Sequence, residues 1–149
     1  MFLLPPHHRN FNKRVIKSPK LFFYDTGLAC RLLGVKSAEQ ARTHPMRGAL
    51  FENLVVAECM KAFVHQRQAP PLYYWRDQTG HELDLIVEEE GALYAAEIKS
   101  GQTVSRDMFE TLNWWSGHTG LGPETTALVY GGDQRFTRSG IRVFPWSAV

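Results

Sequence analysis

The sequence is poor in several features, and each shortage closes off a class of protein. Two cysteines, Cys30 and Cys59, stand in 149 residues with no pairing pattern, so no disulfide framework is expected and a reducing compartment suits the chain. No apolar run approaches the ~20 residues that span a bilayer, and the opening MFLLPPHHRNFNKR lacks the apolar stretch of a secretory signal. The expectation is a soluble, cytoplasmic protein with no membrane partner. The histidines show no H-x-x-x-H spacing and the cysteines no C-x-x-C, which leaves zinc without support. No G-x-x-x-x-G-K-[ST] occurs, and the glycine clusters at Gly120 to Gly122 and at Gly131 and Gly132 lack the lysine. ATP hydrolysis by the P-loop route is therefore not expected from this chain. No hydroxyl or thiol nucleophile stands in a triad that the sequence reveals.

Hydrophobic residues make up 44% of the chain, enough at this length for one globular domain with a real core. Net charge is only +2, so bulk charge does not announce a nucleic-acid partner. Its distribution says more, because no acidic residue precedes Asp25. His7, His8, Arg9, Lys13, Arg14, Lys17 and Lys20 form a basic N-terminal arm, either a solvated tail or a phosphate-contacting segment.

Periodicity places the elements. KSPKLFFYD reads as a short extended piece, after which Asp25 caps a helix through TGLACRLL with Gly34 as its stop. HPMRG is a break. From Gly48 to about Gln66, Phe51, Val55, Cys59 and Ala62 or Phe63 recur at helical spacing, and the helix is apolar on more than one side. QAPP ends it. The aromatic strand LYYWR, the strand HELDLIVE and the strand LYAAEIKS then form a meander with turns at DQTG and near EEGA. SRDMFETLNWWSGH returns to helical spacing with Met108, Leu112 and Trp115 on one side, and of the adjacent Trp114 and Trp115 only one can be deeply buried. TTALVYGG and GIRVFPW supply two further strands. The prediction is an α/β protein with a mixed sheet, ordered helix, three strands, helix, two strands.

Two carboxylates sit where a half-buried sheet would rather have none. A turn symmetric about Glu90 and Gly91 places Asp84 opposite Glu97 and Glu82 opposite Lys99, and alternation then gathers all four on one patch. Opposed side chains have Cβ atoms roughly 4.5–5.5 Å apart, and like charges so placed destabilise a sheet. A shared proton or a divalent cation would compensate, and Mg²⁺ accepts one or two protein carboxylates with water and phosphate oxygens in its other positions. The plainer alternative is an exposed sheet face with a Glu82–Lys99 ion pair worth at most about 1 kcal/mol. Glu52 lies on the helix stripe of Val56, Cys59 and Phe63, so it projects from an apolar face and needs a partner. Otherwise it is a first-turn charge favoured by the helix dipole. Glu58, about 120° round the helix, does another job.

GALFE, Asp84 within ELDLI, and EIK after one more hairpin resemble the PD-(D/E)XK nuclease superfamily. At greater length, NKRVIKSPKLFFYDTGLACRLLG, GALFENLVVAE, YYWRDQTGHELDLIVE and AAEIKSG resemble the C-terminal domain of unknown function that follows an AAA-type ATPase module in a family of prokaryotic ATPases. That resemblance implies a restriction-endonuclease-like α-βββ-α-β core over residues 48–149, preceded by residues 1–47 as a basic arm and short helix left from the linker after an absent ATPase module. It implies Mg²⁺ or Mn²⁺ on Asp84, Glu97 and the backbone carbonyl of Ile98, with Glu52 in support and Lys99 completing a catalytic set that hydrolyses nucleic-acid phosphodiesters, DNA first among them. Arg9, Lys13, Arg14, Lys17 and Gln102 are candidate nucleic-acid contacts, although Gln102 also reads as a polar residue at a helix start. The alternative is a nuclease-fold module without catalysis that binds nucleic acid or protein beside an ATPase. A chain that starts at MFLLPP is expected to be the tail of that architecture, with exposed apolar surface at Phe2 to Leu4.

Overall fold

A computed structural model describes residues 1–8 and 18–149. The N-terminal segments form a two-stranded antiparallel ribbon, β1 (Phe2–Leu4) with β2 (Lys20–Phe22), in which Phe2 stands opposite Phe22. Two short helices follow, α1 (Thr26–Leu32) and α2 (Ala38–Thr43), and then the long α3 (Arg47–His65). The three-strand meander is β3 (Leu72–Arg76), β4 (Glu82–Glu89) and β5 (Ala92–Lys99). Helix α4 (Glu110–Thr119) crosses over to β6 (Thr126–Tyr130), and β7 (Phe136–Arg138) and β8 (Ile141–Pro145) complete one six-stranded sheet in the order β3-β4-β5-β6-β8-β7. The order α3, β3–β4–β5, α4, β6 is the α-βββ-α-β core that the sequence predicts. β5 to β6 and β6 to β8 run parallel, while the other pairs are antiparallel.

Local chemistry explains most of the boundaries. The Asp25 side chain accepts the Leu28 N–H and starts α1, and Gly34 follows the helix at φ +75°. Ser37 caps α2 in the same way through the Gln40 N–H. Glu90 and Gly91 both take positive φ, 51° and 82°, the conformation of a type I′ turn. At the other end of the hairpin, buried Asp77 accepts from the Thr79 and His81 N–H groups, at 2.8 and 2.9 Å, and so shapes the DQTG turn.

The sheet is packed on both faces. α4 covers one with Leu112 and Trp115 against Trp75, Leu83, Ile86 and Leu128, all fully buried. α3 covers the other with Val55 and Val56 against Leu72, Tyr74, Leu85 and Ile98. Leu4 and Phe22 join this second cluster. The expected apolar surface at Phe2 to Leu4 is thus met at Leu3 and corrected at Leu4, which is wholly buried in the cluster under α3, while Phe2 is half-buried. Beside β3 the chain also pairs through Pro5 and His7 with Tyr74, at 3.1 and 2.7 Å, which covers that sheet edge. Trp115 is buried while Trp114 is half-exposed, stacked between His81 and His118 with ring centroids 4.0 and 4.2 Å away. Among the described residues no helix is long and apolar enough to cross a membrane.

Candidate functional site

The site begins with an irregularity in β4. Tyr73 pairs with Ile86 but Trp75 pairs with Leu83, so β4 spends three steps where β3 spends two. Asp84 and Leu85 therefore share the place opposite Tyr74, a β-bulge. The bulge switches the phase of the strand: Leu83 packs in the α4-side cluster and Leu85 in the α3-side cluster, whereas a regular strand would keep both on one face. Asp84 stands at the switch.

The turn at Glu90 and Gly91 sets the β4–β5 register that the sequence predicts, from Glu89 opposite Ala92 to Leu85 opposite Ala96. The next pair in that register is Asp84 and Glu97. There the backbone ladder stops, and Asp84 Oδ2 accepts the Ile98 N–H at 2.8 Å in place of a main-chain carbonyl. Because an extended residue points its N–H and C=O to the same edge, the Ile98 carbonyl opens on the same gap. The Lys99 carbonyl faces the other way and accepts the Gly131 N–H at 3.1 Å.

Glu97 is buried, 4% exposed. Its Oε1 accepts from the Lys99 ammonium, while Oε2 is buried without a hydrogen-bond partner among the described residues. Burial, then the charges of Glu97 and Glu52, push the Asp84 carboxyl up to about 8. Burial likewise raises Glu97, against the opposing pull of Lys99. Burial pulls Lys99 down, but the charge and hydrogen bond of Glu97, together with the charges of Asp84 and Glu52, hold it above the ordinary lysine value. Two acids are thus held in a place that disfavours their charge, the condition that a proton or a cation relieves.

Glu52, on α3, does point into this neighbourhood, since its charge acts on Asp84, Glu97 and Lys99. Its partner is Lys20 on β2, 3.0 Å away, which also bonds Glu82 and sits 5.1 Å over the Tyr74 ring. Arg76 approaches Glu82 at 3.4 Å. The Glu82–Lys99 ion pair weighed from the sequence is replaced by two others, Lys20–Glu82 and Lys99–Glu97. Glu58 pairs with Lys61 one turn along the helix.

Lys20 is the member that sequence reasoning missed as a site residue. What helps to bring it in is Asn53, buried beside Glu52, which accepts the Phe23 N–H at 2.7 Å and donates to the Phe23 carbonyl and to Thr26 Oγ1. A polar residue inside an apolar helical run was the available signal. Among the other candidates, Gln102 is exposed in the loop after β5, and Arg9, Lys13, Arg14 and Lys17 lie outside the described residues.

Among the described residues no three histidine, cysteine or acidic side chains are drawn together as a ready metal cage. At the end of the ladder stand the Asp84 carboxyl and the Ile98 carbonyl, with Glu97, whose Oε2 is buried and unpartnered, near enough for its charge to act on Asp84. This all-oxygen set fits a hard cation such as Mg²⁺ or Mn²⁺, which keeps part of its coordination for water and substrate.

Comparison with known proteins finds two matching domain families and two bacterial relatives. Residues 1–39 match a domain of unknown function (DUF8612) and residues 47–149 a second one (DUF4143). An uncharacterized protein of Mycobacterium tuberculosis, Rv2008c, is 38% identical over 138 residues, and so is the Mycobacterium bovis protein Mb2031c. Each alignment takes in 91% of this chain but only 29% of the relative's length. No solved structure gives a significant match. On the match that runs from Arg47 to the last residue, the chain belongs to the family of the domain of unknown function DUF4143.

Proposed function

We propose that this chain carries a metal-dependent nuclease site that hydrolyses nucleic-acid phosphodiesters, with DNA as the first substrate to test. The observation that carries the reading is the pair of neighbouring carboxylates, Asp84 and Glu97, both held above their ordinary pKa, with a buried unpartnered oxygen and a lysine alongside. A fold gains no stability from such a pair, and perturbed acids gathered at one place are the mark of a functional site.

In this reading Asp84, Glu97 and the Ile98 carbonyl hold Mg²⁺ or Mn²⁺, and Glu52 supports the site from α3. Such an ion, when bound, neutralises phosphate charge and lowers the pKa of its water. Lys99 stays protonated, because Glu97 holds its pKa up, and its ammonium stabilises the negative charge that builds on the phosphate in the transition state. Lys20 holds Glu52 and Glu82 in place through its two ion pairs. The PD-(D/E)XK resemblance of the motif and the α-βββ-α-β order support this assignment. The unmatched length of the mycobacterial relatives leaves room for the ATPase module that the wider resemblance implies.

One observation favours a second reading, a nuclease-fold module that binds nucleic acid or protein without cutting. Lys20 and Lys99 already form ion pairs with Glu52, Glu82 and one oxygen of Glu97, which partly balances these acids without a metal. Titration calorimetry with Mn²⁺ separates the two. The nuclease reading expects one Mn²⁺ per chain in the wild type and none in Asp84→Asn. Folded wild type that takes up no Mn²⁺ removes the reading.

A further inference from the structure

A cavity of about 310 Å³ opens where α2 and α3 meet the ends of β5 and β6. It is lined by Arg42, Arg47, Gln102 and Trp146 together with the apolar Leu50 and Phe51. No carboxylate lines it. The cavity adjoins the acid patch along two elements. Phe51 directly precedes Glu52 on α3, and Arg47 donates to the carbonyl of Ser100, the residue after Lys99.

The lining sets the ligand class. Two cations with no counter-ion in the wall call for an anion, and guanidinium forks suit phosphate oxygens. Trp146 is 46% exposed, an unusual place for the largest apolar side chain and a suitable one for stacking a flat ring. Leu50 and Phe51 offer apolar surface to the same ring. The volume lies at the small end of the roughly 300–1,000 Å³ of ligand sites, which suits one base with its sugar.

We propose that this cavity holds one nucleotide of a single strand, next to the phosphodiester that is hydrolysed at the acid patch, with its base against Trp146 and its phosphate between Arg42 and Arg47. The inference rests on the nuclease reading above and adds a strand-binding site to it. It also places Gln102, which borders the cavity, at the edge of the bound strand.

The test is fluorescence anisotropy of a labelled hexathymidylate in EDTA, where binding is measured without cleavage. Arg42→Ala and Trp146→Ala alter exposed side chains, and circular dichroism confirms that the variants are folded. Each is expected to weaken binding about tenfold, within the range of one lost stacking or phosphate contact. Arg135→Ala removes an equal charge before β7, away from the cavity, and is expected to change affinity less than twofold. Affinities equal to wild type in both cavity variants overturn the inference, as does a wild type that does not bind the hexamer. Free thymidine monophosphate binding as tightly as the hexamer would overturn the strand assignment in favour of a free-nucleotide pocket. Cleavage by the same proteins in Mn²⁺ is read separately. Cavity-dependent binding without cleavage sinks the nuclease reading alone, and cleavage with cavity-independent binding sinks the cavity alone.

Discussion

Asp84 accepts the backbone N–H of Ile98 at 2.8 Å, through its side chain, at the point where the β4–β5 ladder ends. A carboxylate has taken the position of a main-chain carbonyl, and it has done so next to Glu97. The bulge in β4 supplies the extra residue that makes this reach possible.

The first prediction concerns pH. Asp84 is raised to about 8 in the folded protein, against about 3.9 in an unfolded chain. Between those values the unfolded chain carries the charge and the folded protein keeps the proton, so stability falls as pH rises. The contribution is complete below about pH 4 and lost above about pH 8, with a slope of up to ~1.4 kcal/mol per pH unit. Without metal, Asp84→Asn should match wild type in urea at pH 4 and equal or exceed it at pH 7.5. A variant that unfolds more readily at pH 7.5 would make this carboxylate structural.

Lys20 gives the second. It is the shared partner of Glu52 and Glu82 and lies mostly out of solvent. Lys20→Met leaves both acids unbalanced beside Asp84, and chemical denaturation should register a loss of about 1–2 kcal/mol, between the values for exposed and buried ion pairs. The same change frees negative charge for a cation, so Mn²⁺ affinity should rise. A weaker Mn²⁺ affinity would mean that Lys20 organises the site and does not compete for it.

The adjacent tryptophans give the third. Trp115 fills the α4-side core, whereas Trp114 lies half-exposed between two histidines. Trp115→Ala should cost about 3–5 kcal/mol, the range for a large aromatic lost from a core. Trp114→Ala should cost about 1 kcal/mol, the scale of an exposed aromatic contact. Equal losses would mean that α4 presents a different face to the sheet.

Much of this was legible in the sequence because it depends on local rules. Glu90 and Gly91 dictate a tight turn, and the turn dictates the register, which runs to Leu85 opposite Ala96, one pair short of Asp84 and Glu97. Asp25, Gly34 and the spacing of Leu112 and Trp115 fixed their helices in the same local way. What the sequence hid depends on distant contacts. β7 has three residues, all exposed, and exists as a strand only because β8 is there to pair with it. α2 has six residues and no buried side chain, so no apolar period marks it. The bulge at Asp84 and Leu85 shows only against β3, and Lys20 enters the site through distant contacts, the β1 pairing, buried Phe22 and the hold of Asn53 on Phe23. Leu4 reads as exposed surface from the sequence because the residues that bury it, Val55, Val56, Leu72 and Tyr74 among them, lie far along the chain.

The central claim is hydrolysis, and cleavage tests it most directly. Single-stranded, duplex and four-way-junction DNA and single-stranded RNA should be incubated with wild type, Asp84→Asn and Lys99→Ala in Mg²⁺, Mn²⁺ or EDTA. The account predicts cleavage of at least one substrate by wild type with either metal, none in EDTA, and a loss of at least about a hundredfold in both variants. Cleavage that persists undiminished in Asp84→Asn, or folded wild type that cuts nothing in either metal, would contradict it.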